Sequence, residues 1–214
     1  MSESAPRPAE QFADFAQQGE VAQLGMFVFI ATEVLFFGGL VFTYYIYRHL
    51  YGAEFAIAGR DAKLMLGAIN AAILLTSSLT MVLAIEAAAA DRQRAILRWL
   101  ALTVALGFLF LGVKGWEYVT DYRDHVVPAV NFLMKPGYGG PAELFWVFYF
   151  IATGIHAVHL TIGIGAVLAM MRFARRGRFT PVYYAPLEVV GLYWSFVDCV
   201  WLFLFPAFYL LGRS

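Results

Sequence analysis

The chain has one cysteine, little charge and no surplus of either sign. Cys199 lies inside an apolar run of the 214-residue sequence, so no intrachain disulfide can form and the redox compartment stays open. Only 14% of residues are charged, and 15 Lys+Arg balance 15 Asp+Glu. A neutral balance carries no nucleic-acid or polybasic-lipid signature. Also missing are a phosphate-binding loop, a Ser–His–Asp order, a paired CxxC, an internal repeat and a low-complexity linker. Nothing therefore marks a nucleophile or a redox centre. The opening MSESAPRPAEQFADFAQQGE has neither an apolar core nor a basic start. It is expected to be a polar surface tail, residues 1–20, and not a cleaved signal.

What is abundant is apolar sequence: 61% of positions, with mean hydropathy +0.69. Five runs are long enough for a bilayer, which needs roughly 20 apolar residues per crossing. They are Leu24–Tyr47, Leu64–Ala89, Trp99–Val119, Glu143–Met171 and Ala185–Leu211. In lipid each backbone must satisfy its own hydrogen bonds, so all five are helices. The expected fold is an all-α integral membrane bundle of five transmembrane helices, one domain over residues 21–214. The 20 Phe and 12 Tyr suit aromatic belts and helix packing. The longest connection, Asp121–Pro141, holds Pro128, Pro136 and PGYGGP and reads as an ordered surface loop. With the N-terminus cytoplasmic, that side holds Arg7, Arg92, Arg94, Arg98, Arg172, Arg175, Arg176 and Arg178. The other side holds Arg48, Arg60, Lys63, Arg123, Lys135 and Arg213. The bias favours an N-in, C-out orientation.

Ionisable residues inside apolar runs are costly and call for a reason. The first run holds Glu33 near mid-membrane; the third holds Lys114 and Glu117; the fourth holds His156 and His159; the fifth holds Glu188 and Asp198. His159 and Asp198 lie at similar depth on adjoining helices. A buried polar layer is expected, Asp198 with one or both histidines, locking those helices, with Glu33 in or just below it. Trp194 and Trp201, seven residues apart, share a face around Asp198. Lys114 and Glu117 are three apart and are expected to neutralise each other. Glu86 and Glu188 suit snorkelling or end pairing. An H-x-x-H pair by itself is weak evidence for metal or haem. Glu33 is the candidate for proton handling or contact with a lipid headgroup. Gly38, Gly39, Gly107, Gly112, Gly154, Gly163 and Gly165 are expected to allow close helix approach.

Five segments, in order, resemble subunit III of the haem–copper respiratory oxidases, in the five-helix bacterial form. They are TEVLFFGG, INAAILLTSSLTM, KGWEY, ATGIHAVHLTIG and LEVVGLYWSFVDCVWLFLFPAFYL. Singly each is a weak motif; in this order they are specific. Ala71 stands where the family has Thr, and Ser195 where it has His, which removes an imidazole from the polar layer. A water or the Ser195 hydroxyl is expected to fill that gap. The longer mitochondrial form carries two further N-terminal helices with no counterpart here. A lipid cleft lined by those helices is expected to be built differently, against another subunit.

The resemblance implies a non-redox accessory subunit that binds no haem, copper or other metal and carries phospholipid. Its partners would be subunit I above all, then subunit II and a small subunit IV, with the haem and copper held in partner subunits. The complex would reduce dioxygen and pump protons in the bacterial cytoplasmic membrane, drawing electrons from cytochrome c or quinol. The family supports proton uptake near the D-type pathway and protects the oxidase during turnover. Its carbodiimide-reactive helix-one glutamate corresponds to Glu33, a buried protonated carboxyl. The other matched polar residues are Glu117, His156, His159, Glu188 and Asp198. Competing readings are an accessory protein of nitric oxide reductase, which shares the fold, and an autonomous metalloenzyme built on His156, His159 and the carboxylates. A small transporter is disfavoured by the lack of repeat symmetry.

Overall fold

The computed structural model describes residues 11, 13–135 and 138–213. Arg7, most of the polar tail, and Pro136 of the PGYGGP turn lie outside the described residues. The chain is all-helical: α1 (Phe15–Leu50), α2 (Gly52–Asp61), α3 (Leu64–Ala89), α4 (Gln93–Arg123), α5 (Ala142–Arg175) and α6 (Ala185–Phe205). A π-helical turn (Pro206–Leu210) and a short 3₁₀ turn (Leu211–Arg213) follow. Five helices are long and apolar enough to cross a membrane, as expected. The second crossing, α3, has the bounds read from sequence.

The first, third and fourth crossings extend beyond the bounds read from hydropathy, to Phe15–Leu50, Gln93–Arg123 and Ala142–Arg175, while the fifth keeps its start at Ala185 and its α-helix ends earlier, at Phe205. α1 begins at Phe15, inside the segment read as tail. The Asp14 carboxylate accepts from the Gln17 backbone N–H at 2.8 Å, and the Gln17 side chain accepts from the Ala13 N–H at 2.8 Å. This is close to a capping box, with the return bond made to the residue before the cap. α3, α4 and α5 each end with a residue at positive φ: Asp91, His125 and Gly177. In each, paired turn bonds such as Gly177 N–H to Ala174 O and Arg178 N–H to Phe173 O tie off the last carbonyls. The additional helix, α2, is too short and too polar to show as a span. It packs against the C-terminal turn, where Gly59 and Gly212 meet backbone to backbone. The other end of α1 meets the start of α6, Gly19 against Ala185. The two chain ends therefore lie at opposite ends of the bundle.

α3 to α6 form a four-helix core, with α3 and α4 the most extensively paired; α1 lies outside, chiefly against α6. Within the core, facing residues recur about every seven positions, close to two helical turns. One layer brings Ser77, Gly107 and Gly163 to Trp194. A Cβ on Gly107 would lie 3.0 Å from Ile164 and 3.1 Å from Trp194, and one on Gly163 3.2 Å from Trp194. These two glycines admit the indole, as expected of close approaches. Gly38, Gly39, Gly112 and Gly165 face open space, and Gly154 meets only the Tyr118 hydroxyl, so they are not packing devices within the chain. A second layer gathers Phe110 and His156 around Trp201. A third gathers Lys114, Glu117 and Tyr149 around Tyr209. On α6, Trp194 and Trp201 are seven apart but Tyr209 is eight beyond Trp201. The wide turn absorbs the extra residue: the Leu211 N–H reaches the Pro206 carbonyl, five residues back.

Candidate functional site

The outermost core layer is an enclosed charge cluster. Lys114 and Glu117 pair at 3.0 Å, with side chains 3% and 0% exposed. The spacing predicted this pair; its surroundings were not foreseen. The Lys114 ammonium has three hydrogens, and three acceptors take them: Glu117 Oε2, Tyr149 Oη at 2.9 Å and Tyr209 Oη at 2.8 Å. Tyr209 donates to Glu117 Oε1 at 2.8 Å, and Tyr149 to Asp121 Oδ2 at 3.3 Å. Lys63, just before α3, bridges Asp121 at 2.7 Å and the more exposed Asp124 at 2.9 Å. The Lys114 ammonium also lies 4.4 Å from the Tyr149 ring centroid. A buried ion pair is stable only when its remaining donors and acceptors are satisfied, and here they are. Outside the spans, Asp61 accepts from Lys135 at 2.8 Å and Tyr138 at 2.6 Å. Partial burial opposes its ionisation, but these bonds and the Lys135 and Lys63 charges outweigh that and hold the carboxyl below its ordinary value.

The second pair sits on the flank between α1 and α5. His159 Nε2 lies 3.1 Å from Glu33 Oε2, with side chains 17% and 18% exposed. His159 Nδ1 lies 2.9 Å from the Ile155 carbonyl, which can only accept, so Nδ1 carries a hydrogen. A hydrogen bond between Nε2 and the carboxyl then requires one proton between them. Either the acid donates to a bare nitrogen, or an imidazolium donates to a carboxylate. Both arrangements are neutral overall, as a membrane environment favours. Tyr193 donates to the His159 carbonyl at 3.0 Å, and Phe37 stands edge-on to the imidazole. Glu33 is therefore not a lone buried carboxyl.

The single polar layer expected of Asp198 and the histidines is split. Asp198 Oδ2 meets Ser77 Oγ at 3.4 Å, and the Trp194 indole donates to that same hydroxyl at 3.1 Å. The carboxyl thus ties α6 to α3, not to α5. His156 is fully buried between Phe110 and Trp201, with centroids 5.5 and 5.2 Å away. A separation of three residues turns a helix by roughly 300°, so one histidine enters the core while the other stays on its shoulder. Ser195 is exposed, while its neighbours Trp194 and Asp198 are buried, and it does not join the buried layer. It lines a shallow hollow with Gln23, Phe27 and Glu188. Glu188 pairs with α1, accepting from Gln23 at 3.0 Å, and Glu86 is exposed. Among the described residues no three His, Cys, Asp or Glu side chains converge as a metal site would need. The two histidines have different neighbours, His156 facing Phe110 and Trp201 and His159 facing Glu33.

The fold is thus a helical bundle long and apolar enough to cross a membrane, with two acid–base pairs inside its spans. Residues 12–213 match the family described as Cytochrome c oxidase subunit III. The chain is 31% identical over 191 residues to cytochrome c oxidase subunit 3 of Thermostichus vulcanus, covering 89% of this chain and 87% of that one. It is 31% identical to a probable quinol oxidase subunit 3 of Staphylococcus haemolyticus, and 32% to that of Staphylococcus aureus strain USA300, each over 91% of both chains. The chain belongs to the cytochrome c oxidase subunit III family. It is an accessory subunit III of a haem–copper oxidase, a multi-pass membrane protein that works in complex with other oxidase subunits. The nitric oxide reductase reading is not favoured.

Proposed function

We propose that this subunit braces subunit I through α1 and its flank, supports proton uptake through Glu33 and His159, and carries phospholipid. Subunit II and a small subunit IV complete the assembly, in the bacterial cytoplasmic membrane, with the N-terminus inside and the C-terminus outside. The observation that carries this reading is the Glu33–His159 pair, an imidazole–carboxyl contact at 3.1 Å with both side chains partly exposed. Only 6% of the most apolar window of α1 is buried within the chain, against 50% for the last span. Apolar surface of that extent is covered by lipid or by another subunit. A groove of about 240 Å³ between α1 and α6, lined by Val34, Phe37, Val41, Phe196 and Cys199, has the chemistry to take an acyl chain. Four arginines, Arg172, Arg175, Arg176 and Arg178, cluster at the end placed inside.

Glu33→Gln tests the proton role. The amide can still donate to Nε2, so the contact survives while its exchangeable acid is removed. The assembled variant oxidase is expected to pump fewer protons per electron or to inactivate sooner during turnover. Normal values of both would remove Glu33 from the mechanism.

A further inference from the structure

Two hydrogen-bonded networks run along the four-helix core and stop short of each other. The outer one passes from Lys63 and Asp124 through Asp121 and Tyr149 to Lys114. The inner one joins Asp198, Ser77 and Trp194. Between them, six buried polar atoms find no partner among the described residues: Asp198 Oδ1, both ring nitrogens of His156, both amide atoms of Asn70, and Trp201 Nε1.

These atoms belong to one layer. The His156 ring packs 5.2 Å from Trp201. Asp198 is one turn before Trp201 on the same face of α6. On α3, Gly67 meets Phe205 and Tyr209, while Ser77 meets Trp194 and Asp198. Asn70 lies between those contacts on an antiparallel helix, which puts it within about one helical turn of the level of Trp201. Asn70 and Ser77 are seven apart and share a face.

The inventory is mixed. The Trp201 N–H, the Asn70 amide hydrogens and one His156 nitrogen donate; the Asn70 oxygen, Asp198 Oδ1 and the other His156 nitrogen accept. A cation would be repelled by the donors and an anion by the acceptors. An apolar guest would leave all six unsatisfied, which a membrane interior tolerates poorly. A molecule that both donates and accepts fits them, and buried waters typically make about three bonds each to such groups. We propose that the Asn70–His156–Trp201 layer binds a small cluster of ordered water, joining the two networks into one hydrogen-bonded column from the outer surface to Asp198.

Trp194 supplies an internal control. It is equally buried, one heptad away on the same helix, and already bonded to Ser77. In the purified, assembled oxidase, brief radiolytic hydroxyl labelling in ¹⁸O water should mark Trp201 several-fold more than Trp194. Asn70→Leu with His156→Phe should bring Trp201 down to the Trp194 level, with haem content confirming assembly. A map of the same complex that resolves waters elsewhere should show density within hydrogen-bond distance of Asn70 and His156. Equal labelling of the two tryptophans in the unaltered complex overturns the proposal, as does a dry layer in such a map.

Discussion

Lys114–Glu117 and Glu33–His159 are both acid–base pairs within the spans, at 3.0 and 3.1 Å. They are housed in opposite ways. The first is enclosed by four helices, and every ammonium hydrogen has a protein acceptor. The second stands on the flank, with both side chains partly exposed. A closed pair fixes structure, since removing either member strands the other in a medium that cannot solvate it. An open pair can exchange its proton with whatever covers it.

The sharpest way to break this contrast is Lys114→Met. It leaves Glu117 buried and unpaired, a loss of about 3–5 kcal/mol, and the subunit should be lost from the detergent-purified oxidase. Adding Glu117→Gln should recover much of that retention. If the single variant is retained normally, the cluster is not the closed lock described here. Asp198→Ala comes next. It removes a weakly bonded carboxyl facing Ser77, an effect of about 1–2 kcal/mol, read as lower retention in detergent. Unaltered retention would show that α3 and α6 do not depend on it. Glu33→Gln should shift thermal stability by under about 1 kcal/mol, its effect falling on turnover instead. A stability loss as large as that of Lys114→Met would erase the distinction between the pairs.

The smallest effect belongs to Asp61 at the end of α2, outside the spans. Its carboxyl is held below the ordinary value, so its contribution is present at neutral pH and is lost as pH falls through the lowered value, below about pH 4. Protease access to the 124–141 connection should rise only in that range and should be flat between pH 5 and 8. Asp61→Asn should flatten the acid response.

The Lys114–Glu117 pair was legible because three residues on one helix make a neighbour relation that spacing alone settles. The companions Tyr149 and Tyr209 come from α5 and the C-terminal π-helical turn, and nothing local to α4 marks them. A signal did exist in the seven-residue steps Lys63–Asn70–Ser77, Gly107–Lys114–Asp121 and Tyr149–His156–Gly163. It becomes readable only once the facing order of the helices is known. The split of Asp198 from the histidines was hidden for the same reason. Depth along the membrane follows from counting residues, but direction around a helix matters only relative to its neighbours.

The sequence by itself determined the five crossings, the oxidase family and which residues carry charge into the membrane. These follow from the length of apolar runs and from ordered motifs, both written along the chain. Tertiary structure alone decided which acid meets which base and which of them stays open to a neighbour. Those choices depend on helix rotation and packing between distant segments, and the eight-residue step to Tyr209 across the π-helical turn shows how one extra residue can re-aim a side chain.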